Sequence, residues 1–331
     1  MNDSELFEKK SAGKNGMKPS NKIALAMMGS GLILFGIGAV FFNMKIDKIK
    51  AMKNDVVNSK SIAETFNAKD IENITVDTSA LDITFKKSPD GKIHVNSDNA
   101  PEDLNVKSEG KELIITSKKH GWHGIKELVY DLIAWDENYN IVVQLPEKQY
   151  DIFKLDLGAG DTDISDVKCN VFTIDDGAGD VDISSFECKT LEIDSGAGDI
   201  EMRNVNCDTL QLDLSAGNFT GEQIACNTAD VDNGAGDFKA ERLQCRGTLK
   251  LDTAAGDAKI NNSVSGGIEC DNGSGDFTFS GTINGNINID SGVGDIKFSL
   301  TNPESDFSKN GGKYTMRIDS GVGETEIEYN K

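Results

Sequence analysis

The chain has 331 residues and a formal net charge of −21, with 34 Lys and Arg against 55 Asp and Glu. Residues 1–60 hold ten Lys and five acids, whereas the remainder carries 24 basic and 50 acidic residues, a net charge of −26. An acidic body argues against nucleic acid as its partner. It permits cationic partners such as metal ions, basic peptides or basic protein surfaces.

A basic N-terminal tail, residues 1–22, precedes a run of twenty uncharged and mostly apolar residues at 23–42. Twenty helical residues span about 30 Å, which matches the thickness of a bilayer core. The sequence therefore predicts a transmembrane helix at 23–42 that anchors the chain in a membrane. A cleaved signal peptide is the alternative, but no small-residue cleavage site follows the run. Lysines flank the run almost equally on both sides, so charge alone does not fix the orientation.

The rest of the chain divides by its pattern. Residues 43–69 are polar and are expected to form a linker or stalk, and residues 70–150 read as irregular first coils and a cap of a repeat structure. Within them, residues 125–134 have apolar positions at helical spacing, which predicts an amphipathic helix over one end. Residues 151–331 contain the regular repeats, and an insertion at 301–313 is expected to cover the other end.

A six-residue phrase, Asp-x-Gly-x-Gly-Asp in its fullest form, recurs through the regular repeats. Seven of the eight intervals between successive copies are 19 or 20 residues, and the last is 29 because of the insertion. Such a period is typical of stacked structural units.

The residues that begin the phrase, called the opening aspartates, are Asp156, Asp175, Asp194, Asp213, Asp232, Asp252, Asp271, Asp290 and Asp319. The glycines four residues later, called the corner glycines, are Gly160, Gly179, Gly198, Gly217, Gly236, Gly256, Gly275, Gly294 and Gly323. The residues that end the phrase, called the closing residues, are Asp161, Asp180, Asp199, Asn218, Asp237, Asp257, Asp276, Asp295 and Glu324. A degraded copy lies at Asp77–Asp82.

Apolar and polar residues alternate before and after each phrase, as in Leu191-Glu192-Ile193 and Ile200-Glu201-Met202. A period of two predicts half-buried strands, and a third short alternation lets three strands fit into each repeat. We therefore expect a parallel β-solenoid with coils of about 19 residues, each hydrogen-bonded to the next. The corner glycines would turn the chain between strands, because glycine reaches backbone angles that other residues avoid.

The acids of the phrase are expected to point outward and to stack as two rows along one edge of the solenoid. One interpretation is structural, because such carboxylates accept hydrogen bonds from turn N–H groups and prevent sheet edges from pairing. The other is a binding surface, with calcium as a candidate ligand because hard cations prefer carboxylate oxygens. The candidate binding residues are Asp156, Asp161, Asp175, Asp180, Asp194, Asp199, Asp232 and Asp237.

Five cysteines recur at the same period, each two residues after an apolar position, so they should face inward and stack. They are Cys169, Cys188, Cys207, Cys226 and Cys245. Buried free thiols are the expectation, because a buried thiol behaves as a small hydrophobe. One or two disulfides are the alternative, although side chains stacked in parallel register meet the torsional requirement poorly. Cys270 is out of phase and occupies an apolar strand position.

Candidate chemistry is sparse. The chain has no GxSxG, HExxH or phosphate-loop motif. Of its three histidines, His94, His120 and His123, the last two have a metal-like spacing but no supporting partners, so a surface turn is the favoured interpretation. A glycosidase site would need paired carboxylates that converge in a cleft. Here the acids recur evenly as rows, which predicts that the chain is not an enzyme and has no cofactor apart from the calcium alternative.

The lead-in NIVVQLP and the coils LDLGAGDTDI, DSGAGDIEM and DSGVGDIKF carry a resemblance. They are similar to the bacterial putative-adhesin β-solenoid family, a domain of unknown function with GAGD-type coil repeats, over roughly residues 70–330. The resemblance implies an all-β, right-handed, β-helix-like solenoid, often on a membrane anchor in Gram-positive envelopes. Some members of that family resemble components of envelope-stress and antimicrobial-peptide responses. The family has no established catalytic motif, so no catalytic residue carries over.

Together these observations predict a non-enzymatic, single-pass protein of the cell membrane, with its acidic solenoid outside the cytoplasm as an adhesin-like or scaffold binding module. The alternative is an envelope-stress sensor or regulator that binds cationic antimicrobial peptides or a membrane partner. The expected contacts are the membrane through residues 23–42 and a protein, glycan or cationic peptide ligand.

Overall fold

The computed structural model of the chain describes residues 59–117, 139–307 and 311–330. These residues form β-strands and two short 3₁₀ helices, Ala68–Asp70 and Glu304–Phe307. The strands, numbered in chain order, are β1 Ser59–Asn67, β2 Asn73–Ala80, β3 Asp82–Lys87, β4 Lys92–Pro101, β5 Asn105–Glu109, β6 Glu112–Thr116, β7 Asn140–Leu145, β8 Gln149–Ala159, β9 Thr162–Ser165, β10 Lys168–Asp176, β11 Val181–Glu187, β12 Thr190–Ser195, β13 Ile200–Asn206, β14 Thr209–Leu214, β15 Phe219–Cys226, β16 Thr228–Ala235, β17 Phe238–Glu241, β18 Gln244–Ala255, β19 Ala258–Ser274, β20 Phe277–Ile283, β21 Ile287–Val293, β22 Ile296–Leu300, β23 Met316–Val322 and β24 Thr325–Tyr329.

The strands stack as two long parallel ladders, which is the predicted all-β parallel solenoid. The strands that precede the phrase form sheet A, in the order β6-β2-β8-β10-β12-β14-β16-β18-β19-β21-β23. The strands that follow it form sheet B, in the order β7-β3-β9-β11-β13-β15-β17-β19-β20-β22-β24. The register pairs each residue with its equivalent one repeat away, so that Asp175 lies beside Asp156 and Asp194. The repeat period and the alternation of inward and outward residues thus determine which residues pair between successive coils.

The core is a stack of equivalent apolar residues from successive coils. Leu155, Ile174 and Ile193 follow one another in register on sheet A, and all three are buried. The Phe153 and Phe172 rings stack in the same way, with centroids 5.4 Å apart. Each such side chain contributes roughly 1.5–3 kcal/mol by leaving water. The inward alternation of every strand therefore builds one continuous core along the solenoid.

In the six coils from β9 to β19, a bend in or just after the sheet B strand produces the predicted third alternation. Ser185 has a φ of 52° and Asn204 a φ of 55°, which is the left-handed region. Parallel pairing is interrupted at this residue and resumes at the next, where Phe186 lies beside Val205. Short polar residues tolerate left-handed angles better than others do. The sequence can therefore turn here without glycine.

The N-terminal end of the solenoid is closed by antiparallel strands. β4 pairs antiparallel with both β1 and β7, and β5 pairs antiparallel with β6. The expected linker or stalk at 43–69 is therefore too long, because Ser59–Asn67 forms β1 of this cap. The coil of β2 and β3 lies between the coil of β6 and β7 and that of β8 and β9, which brings Asp77 of the degraded phrase beside Asp156.

The C-terminal end is covered less completely. In the insertion at 301–313, Phe307 packs against Tyr314 and Tyr329, with ring centroids 5.8 and 6.4 Å away. The inward residues Met316 and Ile318 of the last coil nevertheless stay only half-buried. The insertion thus shields one side of this end and leaves the rest open.

Three predictions concern residues that the structure does not describe. The basic tail 1–22, the membrane segment 23–42 and the helix at 125–134 lie outside the described residues, as do His120 and His123. Within the described ranges, no helix is both long enough and apolar enough to cross a bilayer.

The corner glycine is required by both conformation and space. Gly198 has a φ of 136°, which an L side chain rarely adopts. A Cβ built on it would overlap the carbonyl of Gly179 on the preceding coil. The backbones of successive coils thus approach each other closely at this corner, and a side chain there would force them apart.

We expect Gly198→Val to lower the free energy of unfolding by more than about 1 kcal/mol, because it combines backbone strain with steric overlap. Gly91→Val is a matched control, since a Cβ added at Gly91 would meet no atom within 4 Å and Gly91 has no left-handed φ. Urea or thermal unfolding followed by circular dichroism measures both. An unchanged transition for the Gly198 variant would contradict the assigned role of the corner.

Candidate binding surface at the corner

The closing residues form a continuous hydrogen-bonded row along the corner. The carboxylate of Asp161 accepts a hydrogen bond from the backbone N–H of Asp180 at 2.9 Å, and Asp180 accepts one from Asp199 at 2.8 Å. The row begins at Asp82 and continues to Glu324, with distances of 2.7 to 3.1 Å. The sequence predicts that these acids accept hydrogen bonds from corner N–H groups, and the structure places the donor on the next coil. Each closing residue therefore ties two coils together.

The opening aspartates form a second row, on the outer face of sheet A. Asp175, Asp194 and Asp213 are exposed, lie in register, and have no hydrogen bond or ion pair within the described chain. Partial burial, followed by the negative charges of Asp213 and Asp175, raises the pKa of Asp194. The pKa of Asp232 is raised in the same way, by partial burial and then by Asp252. The neighbouring carboxylates of this row therefore repel one another.

Neighbouring side chains make the middle of this row more acidic still. Beside it on sheet A run Thr173, Glu192, Gln211 and Asp230, in register and without a cation among them. Cations flank this stretch on both sides, because Lys154 lies beside Thr173 in register and Lys250 lies 3.1 Å from Asp230 and 3.4 Å from Asp252. We call the following set the acidic patch: Asp175, Glu192, Asp194, Asp213, Asp230 and Asp232.

The geometry gives no support to calcium. Among the residues the structure describes, no group of three or more His, Cys, Asp or Glu side chains is arranged to hold a metal ion. His94 instead contacts Asp90 at 2.9 Å and Thr65 at 3.2 Å on the cap. The evenly spaced carboxylates suit an extended cationic partner better than a single compact ion.

The cysteines lie in the core. Cys169, Cys188, Cys207, Cys226, Cys245 and Cys270 are all free and buried. Burial raises the pKa of Cys169 to about 12. A hydrogen bond with the thiol of Cys188, followed by burial, raises the pKa of Cys207. Protonated thiols are poor nucleophiles and poor metal ligands. The thiols with a raised pKa therefore pack as apolar side chains, whereas a hydrogen bond with the thiol of Cys226 lowers the pKa of Cys245 against the effect of burial.

A groove of about 330 Å³ opens near the bend at Ser185. Its lining includes Lys87 and Glu147, 2.9 Å apart, Lys168 and Glu187, 3.1 Å apart, and Asp166. Because both lysines are already paired with glutamates, the groove offers little to a charged ligand. The acidic patch remains the stronger candidate for a binding surface.

Sequence reasoning missed a buried acid directly inside the corner. Asp176 is only 2% exposed, and neither of its carboxylate oxygens makes a hydrogen bond of good geometry. Burial, followed by the charges of Asp161 and Asp175, raises the pKa of Asp176 to about 7, although the nearby N–H of Ala178 opposes the shift. The signal was present in the sequence, because the position after each opening aspartate alternates inward. The equivalent residues are Thr78, Leu157, Ser195, Leu214, Asn233, Thr253, Asn272, Ser291 and Ser320.

Asparagine fits this inner position better. The amide of Asn233 donates a hydrogen bond to the carbonyl of Gly236 at 2.6 Å. The corresponding acceptor for residue 176 is the carbonyl of Gly179. An ionised Asp176 cannot donate, whereas a protonated carboxyl or an amide can.

We expect Asp176→Asn to stabilise the protein at pH 8 by up to about 3 kcal/mol, because the folded chain then no longer buries an ionised carboxyl. The folded pKa lies above the unfolded one. The cost of Asp176 in the wild type is therefore absent below pH 4, grows as the pH rises, and is complete above pH 7. The advantage of the variant should follow that course in unfolding experiments at several pH values. Asp163→Asn removes an exposed carboxylate as a control, and an equal pH dependence in both variants would contradict the prediction.

The chain is similar to several solved structures at low sequence identity. For a putative adhesin from Bacteroides fragilis the TM-score is 0.41 and the identity 15%, covering 82% of this chain and 98% of the other. A putative adhesin from Parabacteroides merdae has a TM-score of 0.40 at 13% identity, with the same coverage. A putative lipid binding protein from Parabacteroides distasonis has a TM-score of 0.39 at 16% identity, again with that coverage. No curated protein matches the chain.

The family model described as Toastrack DUF4097 matches residues 71–321. This match spans the coils of both sheets and most of the N-terminal cap, and it confirms the resemblance predicted from the repeated phrase. Residues 23–42 lie outside the match. The chain belongs to the Toastrack DUF4097 family.

Proposed function

We propose that this chain is a non-enzymatic, membrane-anchored protein of the cell envelope whose solenoid serves as an adhesin-like or scaffold binding module. Residues 23–42 would hold it in the membrane, with the solenoid outside the cytoplasm. A non-enzymatic role is supported by the arrangement of the carboxylates, which run in rows along the surface instead of converging on one reacting atom.

The observation that carries this proposal is the acidic patch. Its carboxylates repeat once per coil, about 4.8 Å apart along the solenoid, and Asp175, Asp194 and Asp213 have no partner within the described chain. A cationic ligand would relieve their repulsion, whereas a neutral ligand would leave it unchanged. Partial burial contributes most to the raised pKa of Asp194, and the repulsion from Asp213 and Asp175 adds to it. The partner we favour therefore presents several positive charges along an extended segment.

This observation also favours a second function, capture of cationic peptides by an envelope-stress sensor or regulator. The two functions differ in the partner, a fixed basic surface in one and a free peptide in the other. Exposed charges are screened by salt, so binding of a free peptide should weaken steeply as ionic strength rises. An adhesive contact that also buries apolar area would weaken less.

The patch can be tested with a lysine-rich peptide as probe, the full chain in mild detergent, and calorimetry at low and at physiological salt. We expect the triple variant Asp175→Asn, Asp194→Asn, Asp213→Asn to bind about tenfold more weakly, since each exposed charge contributes a few tenths of a kcal/mol to 1 kcal/mol. The matched control is Asp163→Asn, Asp182→Asn, Glu201→Gln. It removes three charges from the outer face of sheet B, where Asp163, Asp182 and Glu201 lie in register.

The two variants have the same net charge, but in the control Asp182 and Glu201 contact Arg203, which the substitutions leave unpaired. A difference between the variants therefore reports both the position and the pairing of the charges. Equal losses would mean that the peptide senses only the overall charge of the domain. No binding by the wild type would remove cationic segments from consideration as partners.

The location can be tested by labelling. Thr220 is exposed on sheet B, whereas all six native thiols are buried. We expect Thr220→Cys in the full chain to react with a membrane-impermeant thiol reagent on intact cells, while the wild type gives only background. Labelling that appears only after lysis would place the solenoid in the cytoplasm and contradict the proposed location.

A further inference from the structure

The two ends of the solenoid differ in the strands that form their edges. At the N-terminal end, β4 and then β1 extend sheet B and β5 extends sheet A by antiparallel pairing, so the edge strands there are β1 and β5 of the cap. At the C-terminal end, β23 pairs only with β21 and β24 only with β22 in the described chain. The last coil therefore presents a row of free backbone N–H and C=O groups on each sheet, which is a ready template for another strand.

The apolar residues of the last coil are also incompletely covered. Met316, Ile318 and Ile327 are half-buried, whereas Ile289 and Phe298, one coil earlier, are buried. Val322 at the adjoining corner is 67% exposed, the highest value among the large apolar side chains of the described residues. Terminal coils of solenoids need a polar or covering element to stay soluble. Something beyond the described chain is therefore expected to cover this end.

The two longer undescribed segments join the described chain at the end opposite to the last coil. Residues 118–138 join β6 and β7 at the opposite end, ten coil steps or about 48 Å away at 4.8 Å per step. A loop of that length that goes out and returns reaches only about 35 Å. Residues 1–58 join the opposite end as well, at β1.

The sequence of β23 is complementary to itself in antiparallel register. When two copies of β23 pair about Ile318, Arg317 of each lies opposite Asp319 of the other, and this gives two ion pairs on the outer face. Within the described chain neither side chain has an ion pair, and both are exposed. The edge of β24 lacks this property, because pairing about Ile327 would set Glu326 opposite Glu328. Opposite charges across a strand pair stabilise it and like charges destabilise it.

We propose that two copies of this chain associate end to end, by antiparallel pairing of β23 with β23 about a two-fold axis at Ile318. A two-fold contact is self-complementary and closed, so the association stops at a dimer. Sheet A of one copy continues into sheet A of the other, and the two N-terminal ends point away from each other. The inference is independent of the proposed function, which uses the side of the solenoid.

The test is sedimentation velocity of the full chain in mild detergent, with four charge variants. We expect the wild type to dimerise. Arg317→Asp and Asp319→Arg should each weaken dimerisation about tenfold or more, because each places like charges opposite one another twice. The double variant carrying both changes should recover dimerisation. So should an equimolar mixture of the two single variants, because their charges complement each other. Lys154→Asp, an exposed charge change on sheet A away from the end, should have no effect.

A wild type that remains monomeric up to concentrations on the order of 100 µM would overturn the proposal. So would a dimer that neither single variant weakens, since it would form elsewhere, for example through residues 23–42. Loss in the single variants without recovery in the mixture would also overturn it, because the pairing requires Arg317 opposite Asp319. Circular dichroism of each variant establishes that it is folded.

Discussion

The structure depends on the close approach of successive backbones at the glycine corner. Gly198 lies so near the carbonyl of Gly179 that a Cβ has no room, and its φ of 136° suits glycine. A one-residue shift would bring Ala197 or Asp199 to this contact. The corner therefore fixes the register of the regular coils, and register in turn decides which side chains stack. This stacking strengthens the core, because apolar residues fill the equivalent space on each coil.

The same register places like charges beside one another, which is unfavourable. The acidic residues of the phrase occupy three different environments. The closing residues use their carboxylates as hydrogen-bond acceptors for the next coil, as Asp180 does for Asp199. The opening aspartates keep their repulsion on the surface, where water screens it. Asp176 lies inside, where burial raises its pKa to about 7. At neutral pH its protonated and ionised forms are therefore both populated. Identical spacing in the sequence thus produces one structural row, one candidate binding row and one buried acid.

Much of the fold could be predicted from the sequence, since period, alternation and glycine at a tight turn are local signals. The parallel ladder and the inward cysteines follow from them directly. The antiparallel cap could not be predicted, because β1 and β4 pair over a long separation and their residues carry no repeat. The position of the coil at Asp77 beside Asp156 depends on the same kind of distant contact. At the candidate surface, the sequence identified the acidic rows. It did not show that the N–H donor to each closing residue lies one coil away, because a turn and a ladder contain the same residues.

The insertion of one coil out of chain order has a consequence for how the protein folds. Within the regular coils, partners are 19 or 20 residues apart, so each coil can add to the one before it at little entropic cost. The coil of β2 and β3 pairs instead with residues about 79 positions later, as Asp77 does with Asp156. Contacts at long separation form late. The part of the solenoid nearest the N terminus is thus made first during synthesis and completed only after the strands that follow it. During that interval its apolar strands are exposed and prone to aggregation.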